Sequence, residues 1–138
     1  MSGARVTAEE INALAAESFP AQRNRCIEVG DTWAVARHDV DPEALRPGEM
    51  VSGPTIFGMA DVVLWFALFG AVGYEPMAVT SELSIRFLRP ARGTVLLGRA
   101  DLEHVGRRSV IGTVRCWMEG DEARPVAVAQ GTYVRPSS

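Results

Sequence analysis

Residues 52–70, Ser52-Gly-Pro-Thr-Ile-Phe-Gly-Met-Ala-Asp61-Val-Val-Leu-Trp-Phe-Ala-Leu-Phe-Gly70, are almost wholly apolar and carry one carboxylate near their middle. Ser52 or Gly53 suits a helix cap, and Pro54 falls in the first-turn position that proline favours. A helix from there to about Gly73 covers roughly 28–30 Å at about 1.5 Å per residue. That length also suits a bilayer, so length does not separate a membrane span from a buried core helix. Hydropathy does not either. One central aspartate costs about 2.5–3.5 kcal/mol on insertion scales, which the surrounding leucines, phenylalanines and valines offset.

The rest of the chain decides. No basic flank stands near either end of the segment, and strand-like sequence on both sides of it needs something to cover its apolar face. Cys26–Val29 and Trp33–Val40 read as two strands joined at Gly30-Asp31, a hairpin-type dipeptide. From Ala78 the period becomes two: Leu83, Ile85 and Phe87 alternate with Glu82, Ser84 and Arg86 up to Pro90. Thr80 falls on the side of Glu82 and Ser84. Val95–His104 continues as strand. Val110, Val114, Cys116 and Met118 share one side of the next, and Val126, Val128, Thr132 and Val134 one side of the last. Gly106-Arg107 and Gly120-Asp121 mark turns.

Upstream, Thr7-Ala-Glu-Glu10 is a capping box ahead of Ile11, Leu14, Ala15 and Phe19, so a short amphipathic helix runs there until Pro20. Asp41–Met50, with two prolines and a glycine, is a loop. The order is helix, two strands, long helix, four strands. It predicts a single α+β domain over 1–138, with a curved sheet around a helix that is hydrophobic on all sides.

Composition narrows the function classes. The chain has 138 residues, 47% hydrophobic and 22% charged, with a net charge of −3. An acidic balance argues against nucleic acid or an anionic membrane as a general partner. All fourteen basic residues are arginine, a side chain whose planar fork grips phosphates in a bidentate way. Cys26 and Cys116 lie far apart and form no metal or disulfide pattern, so reduced thiols and a cytoplasmic location are expected. The acidic, amphipathic N-terminus is not that of a signal peptide. His38 and His104 lack triad partners, and there is no GxSxG or HExxH.

Three motifs in order carry a resemblance: Ser52-Gly-Pro-Thr-Ile-Phe-Gly-Met-Ala-Asp61, Ile85-Arg-Phe-Leu-Arg-Pro90 and, more loosely, Val105-Gly-Arg-Arg108. Through them the chain resembles the hotdog-fold acyl-CoA thioesterases of the phenylacetic-acid degradation (PaaI-like) type, from about Arg46 to Arg135. The resemblance implies a hotdog fold, a six-stranded antiparallel sheet wrapped around the long helix. It implies hydrolysis of an acyl-CoA thioester without metal or other cofactor. It also implies homodimers, commonly paired into tetramers, with each site built from two subunits.

By the same resemblance Gly53 supplies the N–H for the thioester oxygen, Asp61 is general base or nucleophile, and Thr80 orients the water. A helix N-terminus suits a developing oxyanion, because its first N–H groups lack internal partners. Pro54 has no N–H, which leaves Gly53, Thr55 and Ile56 as candidate donors. Ser52 and Thr55 fall at the substrate, and Arg89, Arg107 and Arg108 are expected to meet the CoA phosphates. Two positions depart from the pattern: Ser52 stands for the motif histidine and Arg46 for an upstream asparagine. The alternative they favour is a hotdog module that binds an acyl thioester without hydrolysing it.

Overall fold

The hydroxyl of Ser52 accepts a hydrogen bond from the Thr55 amide, and Ser52 itself is extended (φ −69°, ψ 153°). The central helix α2 (Gly53–Val72) therefore starts where the sequence places it. It ends at Gly73, whose positive φ of 96° suits glycine. The computed structural model describes residues 3–136. In it α1 (Ala8–Ser18) precedes β1 (Arg25–Val29) and β2 (Trp33–Asp39), and a short 3-10 turn, Pro42–Ala44, lies before α2. Then follow β3 (Val79–Phe87), β4 (Val95–Val105), β5 (Ser109–Met118) and β6 (Ala127–Val134). The capping box at Thr7 and Glu10 forms as the sequence predicts.

All six strands pair antiparallel in the order β1-β2-β4-β5-β6-β3, and α2 lies against the inner face of the sheet. The helix is long and apolar enough to cross a membrane, yet the sheet wraps it. Met59, Val63, Phe66, Leu68 and Phe69 have no exposed surface. Each such side chain contributes about 1.5–3 kcal/mol by leaving water. The helix can sit this close because small residues pave the sheet beneath it. A Cβ added to Gly98 would fall 2.8 Å from Met59 Cγ, and one added to Gly112 would fall 2.7 Å from Leu64 Cδ2.

Strand β6 shows what this paving does to a hydropathy reading. Val128, Thr132 and Val134 share a side as expected, but Ala127, Ala129, Gly131 and Tyr133 face the core. Val126 is buried ahead of the strand. The large apolar side chains turn outward because the helix already fills the space opposite the small ones.

A second departure bears on the site. Thr80 pairs with Tyr133 while Glu82 pairs with Thr132, so Ser81 is an extra residue in β3. Such a bulge turns the side chains before it to the other face. Thr80 therefore shares the inner face with Tyr133, and the expectation that it lies beside Glu82 and Ser84 is overturned.

The two sheet edges differ. At β1, the Asn12 side chain of α1 donates to the Cys26 carbonyl and accepts from its amide, both at 2.8 Å. Among the described residues, the edge of β3 has no further strand beside it. Burial pushes the thiols of Cys26 and Cys116 up to about 12, so both are unreactive thiols near neutral pH.

Candidate active site

Two turns into α2, the helix brings a carboxylate together with a hydroxyl from β3 and another from β6. Thr80 Oγ1 donates to Asp61 Oδ1 at 2.6 Å, and the Tyr133 hydroxyl lies 2.8 Å from the same oxygen. That hydroxyl also lies 2.9 Å from the Asp61 carbonyl oxygen. Burial, and next the Asp61 charge, push the ionisation of Tyr133 well above the ordinary phenol range, so it remains a donor. Hydrogen bonds to a charged acceptor are the stronger kind, and two on one oxygen fix the carboxylate plane. Oδ2 has no protein partner among the described residues.

Asp61 is half-buried and borders a cleft of about 310 Å³ whose other walls include Val62, Trp65, Pro76 and Val79. A carboxylate held by one oxygen and open at the other, beside an apolar cleft, can take a proton from water or attack a carbonyl.

The helix start forms a separate place. Thr55 is not free to serve as a donor: its amide and its hydroxyl both meet Ser52 Oγ, at 3.3 and 2.9 Å. The Ile56 amide donates to the Ser52 carbonyl at 3.2 Å. The three candidate donors thus reduce to Gly53, whose N–H has no partner among the described residues. Ser52 and Thr55 act on each other as a cap. Gly53 borders a second cleft, of about 470 Å³, with Arg46, Phe87 and Arg89. Nη1 of Arg89 is buried without a hydrogen-bond partner there.

The arginines divide between these two places. Arg107 and Arg108 are exposed on the β4–β5 turn, and their strand continues into Val110, the pairing partner of Tyr133. They belong to the Asp61 end of the sheet. Arg89 follows Phe87, at the opposite end of β3 from Thr80. The Arg107–Arg108 turn is held by Arg135, whose guanidinium donates to the Gly106 carbonyl and, through Nε and Nη2, to the Glu75 carboxylate at 2.9 and 2.6 Å. The Arg135 amide also donates to the Arg108 carbonyl.

Gly53 and Asp61 are separated by about 12 Å along the helix axis. One chain does not bring both to a single carbonyl. Sequence reasoning missed Tyr133 altogether. The signal was there in principle, since a phenol at a core-facing strand position must find a partner for its hydroxyl. Recognising that position required knowing that the Ala127–Tyr133 side of β6 faces inward.

Residues 48–124, more than half of the chain, match the family model of the thioesterase superfamily. No match is found among curated proteins. Among solved structures, the chain is similar to a protein from a Silicibacter species assigned as a thioesterase. The two share 32% identity over 99% of this chain and 96% of that one, with a TM-score of 0.88. A thioesterase from Haemophilus influenzae shares the fold at 20% identity and a TM-score of 0.81, covering 97% of this chain and 94% of that one. So does the PaaI protein of the E. coli phenylacetic acid degradation operon, at 22% identity and 0.75, covering 95% and 90%. With six antiparallel strands around one long helix, and with the family model spanning Gly53, Asp61 and Thr80, the chain belongs to the thioesterase superfamily and has its PaaI-like hotdog fold.

Proposed function

We propose that the protein hydrolyses an acyl-CoA thioester at a site completed by two subunits, with Asp61 as general base or nucleophile. The observation that carries this reading is the Asp61 carboxylate, pinned through Oδ1 by Thr80 and Tyr133 and open through Oδ2 beside the apolar cleft. As base, Oδ2 takes a proton from water while the water oxygen bonds to the carbonyl carbon. The charge on the carbonyl oxygen is met by the Gly53 N–H of the second subunit. The carbon–sulfur bond then breaks and the proton on Asp61 passes to the leaving thiolate, giving a carboxylic acid and free CoA. As nucleophile, Oδ2 attacks the carbonyl carbon and expels the CoA thiolate to form a mixed anhydride. Water hydrolyses it to the carboxylic acid and the Asp61 carboxylate, and the proton released goes to the thiolate.

Two features support the two-subunit site. The β3 edge is open, and Phe57, Val79, Phe87 and Leu88 expose apolar surface on or near it. Pairing β3 with its copy, antiparallel about a two-fold axis, sets the Thr80 end of one strand against the Phe87 end of the other. Asp61, Arg107 and Arg108 of one subunit then approach Gly53, Arg46 and Arg89 of its mate.

The test is a screen of aryl, short-chain and medium-chain acyl-CoAs with release of free thiol as the readout. Turnover on at least one is expected. Binding without turnover on any would establish the second reading, a non-hydrolytic acyl-thioester module, which Ser52 favours because its hydroxyl is spent on capping Thr55. Replacing Arg107 and Arg108 together by alanine is expected to raise KM for an acyl-CoA by about tenfold. KM for the corresponding acyl-pantetheine, which lacks the nucleotide, should hardly change. Equal effects on both substrates would show that these arginines do not read the CoA phosphates.

A further inference from the structure

One wall of the Asp61 cleft comes from outside the sheet and its helix. Phe19, the C-cap residue of α1, leaves helical geometry at φ −138°, ψ 73° and is followed by Pro20. Its ring stands edge-on to Trp65, with centroids 5.4 Å apart and planes at 76°. Trp65 lies one helical turn beyond Asp61, about 6 Å along the axis. Both rings border the cleft that Asp61 faces.

The two rings differ in how firmly they are held. Trp65 is 5% exposed and packs on Phe69 at 4.5 Å between centroids, so it is a fixed backstop. Phe19 is 51% exposed, and the Trp65 ring is its one aromatic contact among the described residues. The remaining walls that this chain supplies carry no charge apart from Asp61. Gln22, the polar exception nearest Phe19, spends its amide on Asn24: Nε2 donates to the Asn24 carbonyl and Oε1 accepts from the Asn24 N–H.

We propose that Phe19, docked on Trp65, sets the length of acyl group the site accepts, and that this group is short and uncharged. The inference rests on the reading that Asp61 acts at the thioester carbonyl. With that carbon beside Asp61, an acyl chain running along α2 meets the Phe19–Trp65 pair after about 6 Å, room for only a few methylenes. A longer chain must displace Phe19, at the cost of its ring contact and the burial it provides. An acyl group ending in a second carboxylate at the Phe19–Trp65 end finds no cation on the walls this chain supplies there and faces the Asp61 charge across the cleft, an arrangement that desolvation makes unfavourable.

The experiment is a kcat/KM profile over straight-chain acyl-CoAs of increasing length for the wild type, Phe19→Ala and Phe19→Trp. Each buried methylene is worth about fourfold, so opening the wall should raise the long-to-short ratio by about tenfold or more for chains two or three methylenes longer. Phe19→Trp should move the profile towards shorter chains. Identical normalised profiles for all three folded proteins would overturn the role of Phe19 while leaving thioester hydrolysis intact. Turnover by the wild type on aryl acyl-CoAs but on none of the straight-chain series would overturn the length-setting role, and absence of turnover on both would instead remove the reading beneath it. A dicarboxylic acyl-CoA hydrolysed as efficiently as the monocarboxylic one of equal length would overturn the uncharged class.

Discussion

Replacing Asp61 by asparagine is expected to lower kcat by about 10²–10⁴-fold, the range that a positioned acid–base group supplies. The change is well suited to isolating chemistry from structure. The asparagine carbonyl can take the place of Oδ1 and still accept from Thr80 and Tyr133, so the amide plane is held as the carboxylate plane is. Its NH2 group then faces the cleft in the position of Oδ2. That group neither accepts a proton from water nor attacks a carbonyl. Thermal unfolding should therefore move little while turnover collapses. A folded Asp61→Asn protein with wild-type kcat would dismiss Asp61 from the mechanism.

Recovery of activity by mixing two dead proteins is the second large effect expected. Asp61→Ala removes the carboxylate. Gly53→Val leaves the N–H but sets a branched side chain in front of it, where even a Cβ already meets Phe87 Cζ at 3.5 Å. Loss of an oxyanion donor alone costs about 10²–10³-fold. Each variant alone has both of its sites damaged. In a hybrid dimer, one site combines the intact Asp61 of one chain with the intact Gly53 of the other. Random mixing of equal amounts should then restore about a quarter of wild-type activity, since about half the dimers are hybrids with one working site of two. Verified hybrids without recovery would place the site within one subunit, or show that Gly53 and Asp61 do not serve one carbonyl.

The parts of the molecule written in short-range pattern were legible in the sequence. Ser52, Gly53 and Pro54 mark the start of α2, and Thr7 with Glu10 that of α1, because caps depend on residues within one turn. Alternation in β3 correctly puts Leu83 and Ile85 opposite Glu82 and Ser84. The site depended on longer-range facts. Whether Thr80 faces the helix is decided by a bulge against β6, whose pairing residues lie some fifty positions away, and the polar run Thr80-Ser81-Glu82 does not say by itself which residue is the extra one. Tyr133 escaped notice because the inner face of β6 is alanine and glycine, which a hydropathy reading assigns to neither side. The reduction of three oxyanion donors to Gly53 depended on where the Ser52 hydroxyl and carbonyl are directed, a matter of cap geometry and not of residue type.

The Asn12 amide on Cys26 has a consequence for how copies of this chain can associate. A sheet with two bare edges can add subunits head to tail, edge upon opposite edge, and such addition does not close. Here the side chain of Asn12 occupies the outward N–H and C=O of Cys26 much as a neighbouring strand would. An incoming β3 would have to displace it and the helix that carries it. Addition at the β1 edge is thereby disfavoured, while joining like edge to like edge at β3 would use up the open edge of both subunits at once. Should copies of this chain pair through β3, Asn12 would make that association self-terminating, ending in a finite particle and not in a fibre.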